Sequence, residues 1–202
     1  MSGNIAIGIQ DFSTIIQGNY FYIDKTPFIK EWWDCGDSAT LITRPRRFGK
    51  TLTMSMVEQF FSIDYAGRSD LFEHLAIWKE EKYRELQGTY PVISLSFARI
   101  KERDYEKTKQ KMCEVLRNIY IKFCYIKDSE KLTDADRAYY ERMLEENIKE
   151  TDATSSLYQL SDFLYRYYGK KVIILLDEYD TPMQEAFVDG YLSLIHISEP
   201  TR

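Results

Sequence analysis

Two histidines and three cysteines among 202 residues leave little material for a metal centre built on nitrogen or sulfur. Cys35, Cys113 and Cys124 are odd in number and form no CxxC pair, which predicts reduced thiols and no disulfide or zinc framework. No apolar run approaches the roughly 18 residues that a membrane-spanning helix needs. The N-terminal segment MSGNIAIGIQDF also lacks the charged start and apolar stretch of a secretion signal. These absences predict a soluble, cytoplasmic protein with no membrane partner. A surplus of positive charge is missing too: a net charge of -5 and a pI near 5.2 argue against gripping nucleic acid by bulk electrostatics. The one dense basic cluster, Arg44, Arg46, Arg47 and Lys50, is local, and a nucleotide is its simplest partner.

Apolar and aromatic residues are plentiful. Hydrophobic residues make up 44% of the chain, with 16 Tyr and 11 Phe, enough to bury a sizeable core. Thr26 and Pro27 form a cap-plus-proline helix start after the aromatic, extended YFYID. Ala39 to Thr43 reads as a short apolar strand, and Pro45 holds Arg44 extended. Leu52, Met56 and Phe60, at i, i+4 and i+8, predict a helix leaving Gly49 directly. A second strand is expected at 91–97, PVISLSF. A long amphipathic helix should follow over 104–126, with Met112, Leu116, Ile119, Phe123 and Ile126 on its apolar face and Cys113 and Cys124 within it. Thr133 and Ser156 are expected to cap two further helices, the second ending at Gly169. Lys171 to Asp177, KVIILLD, reads as a strand buried on both faces, and Thr181-Pro182 as another helix start. Strands separated by helices describe an α/β layered fold with a mainly parallel sheet.

Gly49-Lys50-Thr51 thus lies between an expected strand and a helix, the context of a phosphate loop. Gly49 would let the backbone approach phosphate, and the N–H groups around 47–51 would face the anion at the positive end of the helix. In such a loop Lys50 reaches the β and γ phosphates and Thr51 offers its hydroxyl to Mg²⁺. Phe48, Gly49, Lys50, Thr51 and Leu52 are therefore candidate nucleotide-binding residues, together with Arg46 and Arg47, which either touch phosphate or a neighbouring subunit or are ordinary solvated loop arginines. Arg44 stands where the generic G-x-x-x-x-G-K-[ST] pattern has its first glycine, and a bare GKT also occurs at ordinary helix starts with a solvated lysine. VIILLDE supplies a partner element: at the C-terminal end of a strand, Asp177 would hold Mg²⁺ and Glu178 would position or deprotonate the attacking water. The competing account is that both acids merely end the strand and cap the next helix, the account preferred for Asp180. No Asn-Lys-x-Asp guanine reader is present, and Glu178 after Asp177 favours hydrolysis over kinase transfer.

IGIQDF, GNYFYIDKTPFI, RPRRFGKTL, YPVISLSF, LTDADRAYY and GKKVIILLDEYDTPMQEA together resemble the predicted AAA-type ATPases of bacteria, which often carry a PD-(D/E)-x-K nuclease-like domain at the C-terminus. That family has Arg at the position of Arg44. The resemblance implies a P-loop NTPase-like fold, with ATP and Mg²⁺ as cofactors. It assigns phosphate and metal contacts to Lys50 and Thr51, the metal and hydrolysis pair to Asp177 and Glu178, and catalytic weight to Lys50 and Glu178. Tyr22, Asp24, Lys25 and Thr26 match its Tyr-x-Asp-Lys-Thr block, whose reading here is a structural helix entry. Homo-oligomers, and nucleic acid reached only through a C-terminal domain absent from this chain, are the further partners it implies. The resemblance runs to about residue 192, and SLIHISEPTR is similar to vector-derived or adapter-derived peptide; an ordinary frayed terminus is the other reading. The expected division is an incomplete ATPase-like domain over 1–192, truncated after the strand ending at Asp177, and a non-native tail over 193–202. ATP hydrolysis coupled to a C-terminal effector in a full-length protein is the expected function, weak or absent in this chain alone. A non-hydrolysing nucleotide switch or interaction module is the alternative.

Overall fold

Hydrogen bonding and burial begin to organise the chain at Asp11, whose carboxylate accepts from the Thr14 backbone N–H (2.7 Å) and opens the short helix α1, Phe12–Gln17. The computed structural model describes residue 4 and residues 7–43 and 48–188. The chain divides into two compact units, Met1–Val92 and Ile93–Arg202.

In the first unit α1 lies on α3, Lys50–Phe61. The Phe12 N–H donates to Ser55 Oγ (3.0 Å), and the Gln59 amide, otherwise buried, donates to Asp11 Oδ1 (2.7 Å). Helix α2, Pro27–Cys35, starts where Thr26-Pro27 places it, but the Thr26 side chain does not cap it. Thr26 has helical backbone angles and is fully buried; the Asp24 carboxylate accepts from both its N–H (2.8 Å) and its hydroxyl (2.7 Å). An aspartate two residues upstream holds both Thr26 donors, and the first N–H groups of the helix, on Phe28 and Ile29, are taken by the Lys25 and Thr26 carbonyls (3.0 and 2.9 Å). Aromatic rings fill the core: Phe12 stacks on Phe72 (centroids 5.1 Å apart), Phe60 meets Phe72 edge-on (5.1 Å), and Trp33 stacks on Phe61 (5.3 Å). The short helix α4, Glu81–Arg84, follows a 3₁₀ turn at Ala76–Lys79. Residues 39–43 form no strand: they make no ladder among the described residues, Leu41 is 65% exposed, and Thr40 Oγ1 takes a hydrogen bond from Trp32 Nε1 (3.1 Å). An apolar run becomes a strand only when another strand pairs with it, and none does so there.

The second unit packs α5, Tyr105–Lys122, α6, Asp134–Leu144, and α7, Glu150–Tyr168, around Ile93, Leu95, Tyr120, Tyr140, Met143 and Phe163. Asp104 caps α5 through the Lys107 N–H. The helix stops at Lys122, where the chain tightens into a 3₁₀ turn, so Cys124 lies outside it; Met112, expected in the apolar face, is 38% exposed. Thr133 caps α6 as the sequence predicts, in a reciprocal box with Asp136. Ser156 caps nothing. It lies inside α7, its hydroxyl on the Ala153 carbonyl (2.6 Å), because α7 begins at Glu150 with Glu150 and Asp152 in its first turn, where the helix dipole favours acids. That helix ends at Gly169, left-handed at φ 67°, as expected.

β1, Val92–Ser96, and β2, Ile173–Asp177, form a two-stranded parallel sheet, giving an α/β architecture. Their pairing extends to the strand ends, where the Phe97 N–H donates to the Asp177 carbonyl (3.0 Å). β2 is not buried on both faces. Ile174 and Leu176 are 41% and 42% exposed, because β2 has one pairing neighbour among the described residues and its side chains alternate between a covered and an open face. Helix α8, Thr181–Val188, completes the described chain. No helix among the described residues is long and apolar enough to cross a membrane. Cys35 and Cys124 are exposed free thiols, whereas Cys113 is buried, which pushes its thiol pKa up.

Candidate functional site

One candidate segment, in the first unit, is the start of α3. Gly49 adopts φ 75°, a left-handed backbone that non-glycine residues enter only at a cost, and turns the chain abruptly into Lys50. No side chain caps this helix; Gly49 is its N-cap. The Gly49 carbonyl is taken from below by Thr53, through both N–H (2.9 Å) and hydroxyl (2.9 Å), and the Thr53 side chain is buried. Buried Met56 and Phe60 anchor the same helix further along, so the turn at 49 rests on a fixed base. Lys50 and Thr51 follow within the first turn and are half-buried, as is Leu52, whereas Phe48 is 62% exposed. Arg46 and Arg47, together with Arg44, lie outside the described residues.

A residue treated in the sequence as part of a helix entry also reaches this turn. The Lys25 ammonium donates to the Phe48 carbonyl (3.2 Å), and a Cβ placed on Gly49 would come within 2.7 Å of Lys25 Nζ. The signal available from sequence was the Tyr-x-Asp-Lys-Thr block itself, but nothing in its spacing points across 23 residues to the loop.

A separate candidate segment, in the second unit, is the end of β2. Asp177 closes the strand, and Glu178 adopts φ 51°, a left-handed conformation unusual for a residue with a long side chain. The Glu178 carbonyl accepts from the Thr181 N–H (3.1 Å), and its Oε2 lies 3.4 Å from the Thr181 hydroxyl, so the turn folds back on the first residue of α8. Gln184 donates its side-chain amide to the Asp180 carboxylate (2.5 Å) and its backbone N–H to the Asp180 carbonyl (3.0 Å). Phe48 to Leu52 belong to the first unit and Asp177 and Glu178 to the second, each held by its own local framework.

A threonine hydroxyl and an aspartate carboxylate are each oxygen ligands of the type Mg²⁺ prefers, and Thr51 and Asp177 each lie in their own unit. No group of three or more His, Cys, Asp or Glu side chains is assembled for a metal among the described residues. A magnesium carried in with phosphate needs no such cage.

A phosphate-loop-like turn opening a helix, and an α/β unit whose strand ends in two acids, are compatible with a P-loop-like fold. The family model described as Predicted AAA-ATPase matches residues 6–198, and the chain belongs to this AAA-ATPase-like family. Membership points to nucleotide binding. The chain is also similar, at 28% identity over 180 residues, to a protein of Azotobacter chroococcum mcd 1 described as "Uncharacterized protein in vnfD 5'region". That match covers 89% of this chain and 29% of the relative, so the chain spans less than a third of that protein's length. No solved structure matches the chain.

Proposed function

We propose that this chain is the nucleotide-binding part of an ATPase with a P-loop NTPase fold, taking ATP with Mg²⁺ at the start of α3. The observation that carries the proposal is the left-handed Gly49 leading straight into Lys50 and Thr51 at an N-terminus without a side-chain cap, in a chain of the AAA-ATPase-like family. Backbone N–H groups and the helix dipole at that terminus favour an anion, and the Lys50 ammonium adds a full charge for the β and γ phosphates. Arg46, Arg47, Phe48 and Leu52 are assigned to the same cradle. Thr51 and Asp177 would hold Mg²⁺, which when bound neutralises phosphate charge. Glu178 would orient and deprotonate the water that attacks the γ phosphate. The strained backbone at Glu178 supports that role, since such conformations concentrate where side-chain placement matters more than stability.

Within a longer protein, hydrolysis would drive or gate an attached effector. Thermal unfolding with and without Mg-ATP tests the binding step. A ligand that binds the folded state alone stabilises it by about 2.7 kcal/mol at a hundredfold excess over Kd. Wild type should gain that stability and Lys50→Ala should lose most of it; equal ATP stabilisation of both would remove the phosphate-loop assignment. Phosphate release by Glu178→Gln, measured in the longest available version of the protein, tests hydrolysis. Unchanged turnover would remove Glu178 from the chemistry, and no turnover by wild type would favour a switch that binds without hydrolysing.

A further inference from the structure

The Tyr-x-Asp-Lys-Thr block is fastened at several points. Asp24 accepts from Thr26 through Oδ1 and, through Oδ2, from the Ala76 N–H (2.7 Å) on the 3₁₀ turn at Ala76–Lys79. Thr26 Oγ1 in turn accepts from the Ile77 N–H (3.2 Å), and Tyr22 OH, which donates to Met56 Sδ on α3 (3.2 Å), accepts the Lys25 N–H (3.4 Å). The backbone at Lys25 is therefore tied to α3 on one side and to the 3₁₀ turn on the other. From that base the Lys25 ammonium donates to the Phe48 carbonyl (3.2 Å), the last carbonyl before Gly49.

A trans peptide points its C=O and its N–H in opposite directions. With the Phe48 carbonyl turned to Lys25, the Gly49 N–H faces the other way; with the Gly49 carbonyl turned along the helix to Thr53 (2.9 Å), the Lys50 N–H faces out of the helix start. A left-handed residue followed by a helical one gathers such successive N–H groups into an anion-binding concavity. Thr53 secures the second of these peptides from within α3. The first lies outside the helix, beside a glycine whose backbone accepts either sign of φ, so it can turn over unless its carbonyl is held. The missing Cβ at Gly49 also makes room for the holding group, since a methyl there would come within 2.7 Å of Lys25 Nζ. Resting on the proposed phosphate site, we infer that Lys25 is a positioning residue: its ammonium holds the Phe48–Gly49 peptide in the orientation that presents the Gly49 N–H to the phosphates of the nucleotide. On this account the contacts of Tyr22, Asp24 and Thr26 serve the loop by fixing the base from which Lys25 reaches it.

The test follows the Gly49 amide by NMR in the ¹⁵N-labelled whole chain of 202 residues, with Mg-ATP as the titrant. Lys25→Met keeps the apolar stem and removes the donor; Lys25→Arg keeps a charged donor. In wild type, Mg-ATP should move the Gly49 amide proton downfield. If without its clamp the peptide holds the competent orientation about a tenth of the time, apparent affinity falls about tenfold. Lys25→Met should show that loss together with a displaced Gly49 amide nitrogen already in the ligand-free protein. Lys25→Arg should return the wild-type Gly49 signal and bind within about threefold of wild type. Ligand-free melting temperatures are read alongside; if Lys25→Met does not fold, Lys25→Gln, which offers a shorter donor without charge, takes the same two readings. Wild-type affinity without the clamp would overturn the inference. So would weakened affinity with the Gly49 amide unmoved, which would put the ammonium on the ligand instead of on the peptide. Lys50→Ala run in parallel separates this inference from the reading it rests on. If Lys50→Ala binds like wild type, the phosphate-loop reading itself fails; if it loses affinity while Lys25→Met does not, only the role of Lys25 fails.

Discussion

Replacing Gly49 by alanine separates the backbone's need for glycine from the ligand's. At φ 75° an alanine incurs about 1–2 kcal/mol of left-handed strain. Part of this is offset by about 0.4–1 kcal/mol, because alanine restricts the unfolded chain. The net destabilisation should lie between about 0 and 1.6 kcal/mol, a fall in melting temperature of at most roughly 6 °C for a chain of this size. The new methyl would also sit 2.7 Å from Lys25 Nζ, which must swing away; a lysine terminus moves at little energetic cost, but its contact with Phe48 is lost. Gly67 provides the control, since it has φ 79° and nothing within 4 Å of an added Cβ. Gly67→Ala should therefore destabilise about as much as Gly49→Ala in the absence of ligand.

With ATP the two variants should part. At an ATP concentration a hundredfold above the wild-type Kd, Gly67→Ala should gain the same roughly 2.7 kcal/mol as wild type. A tenfold weaker Kd in Gly49→Ala reduces the gain to about 1.4 kcal/mol. Differential scanning fluorimetry over an ATP series reads both quantities. Equal ATP stabilisation of Gly49→Ala and Gly67→Ala would refute the idea that the turn at 49 faces phosphate. Unequal ligand-free stabilities, with Gly67→Ala the milder by more than about 1 kcal/mol, would show that the space around Gly49 is less forgiving than Lys25's mobility implies.

Three further outcomes are expected. The Arg166 guanidinium, ahead of the Thr133 hydrogen bonds, holds the Asp136 carboxyl down to about 2 from its ordinary 3.8. This depressed value stabilises the fold fully above about pH 5, and the contribution is lost as pH falls through 4 towards 2. Asp136→Asn should therefore cost about 1 kcal/mol near neutrality, the pair being partly exposed, and should flatten the acid limb of a melting-temperature profile between pH 2 and 5. Tyr140→Phe removes a buried hydroxyl that donates to the Tyr120 carbonyl (2.7 Å) and should lower stability by about 1–2 kcal/mol in urea unfolding; no change would mean that carbonyl does not need the bond. Glu178→Gly relieves the left-handed strain at φ 51° and should raise stability by about 0.5–1 kcal/mol while abolishing ATP turnover, and a loss of stability would show that the Glu178 side chain also braces the turn.

Local chemistry was legible in the sequence, and partnership was not. The helix start at Thr26-Pro27, the capping box at Thr133 and Asp136, and the glycine stop at 169 all appear, because each depends on atoms a few residues apart. The helix after Gly49 appears because its apolar spacing matches one buried face. Residues 39–43 carry as much strand character as Val92–Ser96, yet only the latter finds a neighbour to pair with. Ile173–Asp177 reads as buried on both faces, but apolar composition cannot say whether a second layer covers Ile174 and Leu176. Ser156 misleads because Ser-x-x-Gln has the same spacing inside a helix as at its start. At the start of α3, the turn at Gly49 was recognisable from one tripeptide. The approach of Lys25 was not, because it depends on how Asp24 and Thr26 fasten to a turn some 50 residues on.

Gly49 and Glu178, one in each unit, resolve the same backbone problem in opposite ways. At 49 the chain uses the residue without a Cβ, so the turn is nearly free of strain and the Lys25 ammonium can approach to within 2.7 Å of where a Cβ would stand. At 178 it uses a glutamate, although glycine would fit the angle and asparagine would tolerate it, as Asn19 does at φ 50°. Packing does not explain the choice, since the Glu178 side chain is only half-buried and its one described side-chain contact is a long 3.4 Å approach to Thr181. A strain of about 1–2 kcal/mol is then retained at a residue whose carboxylate is directed by that turn. The proposed role of that carboxylate in hydrolysis would account for the choice of glutamate over glycine or asparagine, and Glu178→Asn is the variant that separates the two: it should keep the turn and lose turnover.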